Sequence, residues 1–232
     1  MAHPGSAPST DLPPWSSALA VIAHPDDESF GLGAVIDRLI GAGATVDVLC
    51  FTRGEASTLG AAESDLAGVR KQEITAAANE LGIRDVHLFA YPDGGLGAIE
   101  PKDLADHVIA IARSSGSHGL LAFDTTGVTG HPDHVAATAA AEQAGAELRL
   151  DVLAWTLPAS VAASLGAPFV GRTDDEIDIV VTVQRDRQRR AVTCHPSQAV
   201  PGSALWQRLD LLGDREYLRW LSHADGMPRP NG

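Results

Sequence analysis

Imidazoles and carboxylates cluster at two places in this chain, His24-Pro25-Asp26-Asp27-Glu28 and His131-Pro132-Asp133-His134. If each proline opens a helical turn, positions i and i+3 share a face. His24 and Asp27 then point one way, and so do His131 and His134. Two imidazoles and one carboxylate, with a fourth position open, make a catalytic divalent-metal site. Zinc suits such N/O ligands best, and other divalent transition metals can replace it. A dication would also offset the repulsion among Asp26, Asp27 and Glu28. One of Asp26 and Asp27 can ligate while its neighbour faces a water on the ion. Zinc lowers the pKa of such a water to about 7, so a nearby carboxylate can take its proton near neutral pH. The remaining imidazole can donate to negative charge developing on a substrate oxygen. The chemistry indicated is metal-assisted hydrolysis of a carbonyl or phosphoryl compound.

A lone His-Pro-Asp is ordinary turn chemistry, because Pro sets φ and Asp caps the next helix. Two copies at separate strand exits, with extra acid and extra His, are harder to obtain that way. Apolar runs at 19–23, 45–51, 86–91, 119–123 and 151–157 read as strands. Helical patterns at 30–40, 63–81, 100–113 and 132–147 alternate with them. That alternation implies βαβ units, a mostly parallel sheet and an α/β fold. A further strand is expected at 176–183, and mostly helix from 185 onward. Ligands of open α/β sheets bind beyond the carboxyl ends of the strands. "HPDDE" (24–28), "TRGE" (52–55), "YPDGG" (91–95) and "DTTGVTGHPDH" (124–134) lie at those ends.

The stretches "AHPDDESFGLGA" (23–34) and "GVTGHPDH" (127–134) resemble the paired signatures of the PIG-L/LmbE-like zinc-dependent deacetylases, over about residues 18–200. The resemblance implies a Rossmann-like, three-layer αβα fold and removal of N-acetyl groups from N-acetylglucosamine-type conjugates, a small-molecule amino-sugar substrate. Some relatives are amidases that cut mycothiol-type conjugates. By the same resemblance His24, Asp27 and His134 ligate zinc. Asp26 is the general base, His131 stabilises the oxyanion or protonates the leaving amine, and Asp133 orients His131. Arg70, in an R-x-x-E pattern with Glu73, and Asp93 correspond to family residues that hold substrate. "CHPSQ" (194–198) resembles an architectural segment packed near the site, so His195 is not assigned as a ligand. Where relatives commonly carry a Lys, this chain has Gln188.

Gly31-Leu32-Gly33 is a weak dinucleotide signal, since a G-x-G-x-x-G fingerprint needs Gly or Ala where Ile36 stands. Arg53 and Glu55 are rim candidates. Trp155, Trp206 and Trp220 read as core.

The chain has 232 residues and 44% hydrophobic residues, enough for one large core. A single domain over 18–232 is expected, after a disordered arm over 1–17. Its net charge of −13 opposes binding to nucleic acid or anionic lipid. No apolar run is long enough for a membrane span. Two lone cysteines, Cys50 and Cys194, together with a start unlike a signal peptide, point to the cytoplasm. A homo-oligomer stays open.

Overall fold

Five of the apolar runs become parallel strands: β1 (Ser17–Ile22), β2 (Thr45–Thr52), β3 (Asp85–Tyr91), β4 (Gly119–Phe123) and β5 (Asp151–Thr156). The computed structural model describes residues 7–59 and 64–224. With β6 (Ile179–Thr182) and β7 (Arg215–Ser222) they form one seven-stranded sheet ordered β3-β2-β1-β4-β5-β7-β6. β7 runs antiparallel to both of its neighbours. The architecture is the expected Rossmann-like α/β layering.

The strand residues explain the layers. Every residue of β1 is buried, and successive side chains alternate between two cores. Ala18, Ala20 and Ile22 face one core, packed by α2 (Gly33–Gly41), α3 (Leu66–Leu81) and α8 (Asp186–Thr193). Leu19 and Val21 face the other, covered by α4 (Pro101–Ser115) and α6 (Pro132–Leu148). Pro101 and Pro132 each occupy a first helical turn, where a missing N–H costs nothing. Strand order reverses between β1 and β4, which is the switch point where α/β folds bind ligands. The first acidic cluster follows β1 and the second follows β4.

Three expectations are corrected. The helix expected over 30–40 begins only at Gly33, as α2, and a separate short helix, α1 (Asp27–Phe30), precedes it across Gly31–Leu32. Residues 1–6 lie outside the described residues, but 9–17 are ordered against the sheet. Ser9 bridges Ile179, and Trp15 is buried edge-on to Trp220 at 6.1 Å. Burial of that indole supplies the apolar contact that the Pro/Ser composition does not advertise. Finally, among the described residues after 185 helix is confined to α8 and α9 (Ala204–Leu212), and the chain then turns to β7. Glu216 and Leu218 face inward at alternate positions, while Leu153 pairs with Trp220 and Val180 with Tyr217. Pairing on both sides overrides the weak helical propensity of "REYLRWLS".

Candidate active site

His24 leaves β1 and Asp27 opens α1; His131 caps α6 and His134 lies in its first turn. The backbone brings the two clusters together. His24 Nδ1 is 3.2 Å from His134 Nε2, His134 Nε2 is 3.3 Å from an Asp27 carboxylate oxygen, and His24 Nδ1 is 3.7 Å from the other. Donor atoms at tetrahedral angles on bonds of about 2.0 Å stand about 3.3 Å apart. The three groups therefore fit one dication of zinc's size.

Their outward atoms are anchored, as ligand orientation requires. His134 Nδ1 lies 3.1 Å from the Gly127 carbonyl and fits as donor to it. His24 Nε2 lies 3.1 Å from Asp93 Oδ1 and 3.3 Å from Asp133 Oδ2. Asp27 accepts from the backbone N–H groups of Ala23 and His24. Burial opposes charge on His24, but Asp133 and Asp93 outweigh it and raise its pKa to about 10. Burial likewise opposes ionisation of Asp27, yet His134 and His24 hold its pKa well below the usual carboxylate range.

Each of the three consecutive acids has its own compensation. Asp27 faces the imidazoles. Asp26 accepts from Arg70 Nη2 at 2.9 Å. Glu28 is fully buried and lies 2.7 Å from His195 Nε2. Burial pushes the Asp26 pKa up to about 6, with Arg70 pulling against it. Asp26 also has φ 142°, a conformation rare for non-glycine residues and associated with functional sites.

The other expected site residues also make defined contacts, with Arg70 and Asp93 both lining the cavity. Arg70 is only 3% exposed, donates to Asp26, to the Pro25 carbonyl and to the Gly54 carbonyl, and so braces the first cluster while also lining the cavity. Gly54 permits this, since a Cβ there would lie 1.9 Å from Nη1. Glu73 binds Ser197 through its N–H and hydroxyl and does not pair with Arg70. Asp93 turns to His24 and to the Ala56 N–H. Asp133 does not orient His131 through its carboxylate. That group accepts from the Gly94 and Leu96 N–H groups and faces His24. Only the Asp133 backbone N–H touches His131, donating to Nδ1 at 3.2 Å. His131 Nε2 consequently carries the proton in the neutral ring. Burial, and then His24 and His134, lower the His131 pKa.

Gln188 donates to the Ser29 carbonyl, a structural tie behind α1. Trp155 and Trp220 belong to the core, as expected. Trp155 also lines the cavity over these groups, which measures about 540 Å³. The sequence reading missed the cavity walls: Phe30, Phe123, Trp155, Val128 and Arg208. Phe30 and Val128 stand inside the two quoted signatures without a polar group to single them out, and Phe123, Trp155 and Arg208 come from separate segments that no spacing joins.

The family model described as PIG-L: GlcNAc-PI de-N-acetylase matches residues 19–145. A probable N-acetylglucosaminyl-phosphatidylinositol de-N-acetylase of Schizosaccharomyces pombe is 38% identical over 126 residues, covering 52% of this chain and 48% of that protein. A 1D-myo-inositol 2-acetamido-2-deoxy-alpha-D-glucopyranoside deacetylase of Rhodococcus opacus is 28% identical over 235 residues, covering 78% and 80%. The chain spans about half the length of several of the curated relatives it matches. A deacetylase of the teicoplanin biosynthesis pathway superposes with a TM-score of 0.69 at 21% identity, over 88% of this chain and 96% of that one, which shows a shared fold. With both signatures inside the matched segment and their side chains converging at the switch point, the chain belongs to the PIG-L family.

Proposed function

We propose that this protein is a metal-dependent N-deacetylase that hydrolyses an N-acetylglucosamine-type conjugate to acetate and a free amine. The observation that carries the reading is the convergence of His24 Nδ1, His134 Nε2 and the Asp27 carboxylate at separations suited to one ion. Those three residues would hold zinc or a similar dication, which when bound supplies Lewis acidity that activates water and polarises an amide carbonyl.

The remaining steps belong to the protein. Asp26, held by Arg70 and desolvated, accepts a proton from the attacking water. His131 donates from Nε2–H to the oxygen that gains charge as the carbonyl becomes tetrahedral. Its Nδ1 is occupied by the Asp133 N–H, so the donor face is fixed before substrate arrives. The proton taken by Asp26 can pass to the departing nitrogen as the carbon–nitrogen bond breaks. Asp133 and Asp93 orient His24, and Arg70 positions Asp26.

The cavity, at about 540 Å³ with an apolar wall at Phe30, Phe123 and Trp155, has room for more than an acetyl group. That favours, as a second reading, an amidase that cuts a larger acyl group by the same steps. The described residues contain no helix long and apolar enough to cross a membrane, and both cysteines are free. We assign the enzyme to the cytoplasm on the cysteine usage.

The test is an acetate-release screen of zinc-loaded protein across N-acetylglucosamine conjugates, beside an Asp26→Asn control. Release that the control abolishes supports the reading. No release from any conjugate, or equal release by the control, contradicts it.

A further inference from the structure

Several buried or half-buried arginines of this protein pair with a carboxylate. Arg70 pairs with Asp26, Arg172 and Arg219 with Asp124, and Arg185 with Glu216. Arg208 on α9 forms no ion pair among the described residues. Its guanidinium lies over the Trp155 ring at 5.2 Å, and Nη2 donates to the Phe30 carbonyl at 2.6 Å. Nε is buried without any partner. Glu216, whose charge acts on Arg208, is already engaged by Arg185 and by the Trp155 indole N–H. Burial lowers the Arg208 pKa to about 10, which leaves it a cation at neutral pH.

Half-buried Arg208 has one carbonyl as its hydrogen-bond partner, and Glu216, Asp27 and Asp26 act on it without contact, so a desolvated guanidinium so placed is stabilised by a counter-charge in contact with it. The planar guanidinium fork matches the oxygens of carboxylate and phosphate groups, and stacking on an indole fixes its plane. The position also suits a substrate. Phe30 ends the one-turn helix that Asp27 begins, and Phe30 and Arg208 line the same cavity as His24, Asp26, Asp27 and His131. A group bound there belongs to the molecule whose amide faces Asp26 and His131.

We propose that Arg208 is the anion-recognition residue of this cavity: against the Trp155 face it binds a carboxylate or phosphate group carried by the substrate. This rests on the deacetylase reading above and names the class of conjugate. The overall charge of −13 makes such a local cation the feature that admits an anion.

The test compares three substrates with the zinc-loaded full chain. Methyl N-acetylglucosaminide is neutral, N-acetylglucosamine 1-phosphate carries its anion on the sugar, and N-succinylglucosamine carries it on the acyl group. At least one anionic substrate should exceed the neutral one about tenfold in kcat/KM, and which one does so identifies the source of the anion. In Arg208→Gln that selectivity ratio should fall about tenfold, and Arg208→Lys should keep an intermediate ratio. Equal loss on neutral and anionic substrates, or no anionic preference in the wild type, would overturn the proposal. If none of the three is cleaved, which counts against the deacetylase reading, calorimetric titration with inorganic phosphate decides separately. A Kd at least tenfold weaker in Arg208→Gln than in the wild type supports the assignment, and equal Kd values refute it.

Discussion

Arg70 Nη2 donates to the Asp26 carboxylate at 2.9 Å, so a buried cation holds the acid beside the candidate ligand Asp27. This contact explains how adjacent aspartates can divide their work. Asp27 is drawn to the imidazoles and Asp26 is drawn away from them, toward the cavity. The strained backbone at Asp26 is the local cost of that divergence.

Replacing Asp26 by Asn should leave bound metal unchanged and lower kcat by about 10²–10⁴-fold, the range for loss of a general base. Elemental analysis and steady-state kinetics on one preparation check both halves of this statement.

Arg70→Met removes the brace. It strands the Asp26 charge among buried groups, and losing one partner of a buried pair costs about 3–5 kcal/mol. The expected result is a lower unfolding temperature together with a lower kcat, with metal retained. If Arg70 instead held substrate directly, KM would rise while stability stayed level.

Asp133→Asn separates the two readings of that residue. The structure places its carboxylate on His24, so metal affinity should weaken about 10–100-fold, as for other groups that orient a ligand. Competition with a chelator measures it. Unchanged affinity with a loss confined to kcat would restore the sequence expectation that Asp133 serves His131.

His195 and Glu28 form a fully buried contact. Burial opposes charge on His195, but Glu28 outweighs it and raises the His195 pKa. A histidine with a raised folded pKa contributes stability that is full below its unfolded value, about 6.5, and is lost as pH rises through the folded pKa. The gap in unfolding temperature between wild type and His195→Gln should therefore narrow as pH rises above about 6.5. A gap that widens with pH would show that His195 is neutral in the fold.

The fold was legible in this sequence because parallel strands buried on both faces leave long apolar runs such as 19–23 and 45–51, and because the helices between them keep a period near 3.6. The meeting of the two His-Pro-Asp clusters was legible for a similar reason. His24 and Asp27, like His131 and His134, owe their shared face to local spacing, and the switch point does the rest. What depended on contacts between distant segments was not legible. The bracing contacts of Arg70 were hidden because its partners Gly54 and Pro25 lie on other strand exits. Asp133 was misread because nearness along the chain favoured His131 over His24. β7 escaped because its alternation is short, and Arg208 has no motif at all.

The most direct test of the account is anomalous X-ray diffraction at the zinc edge from crystals of the zinc-loaded protein. One anomalous peak is predicted, with His24 Nδ1, His134 Nε2 and an Asp27 carboxylate oxygen each about 2.0–2.2 Å away. A peak elsewhere, or one lacking any of these three residues in its coordination, would contradict the central claim.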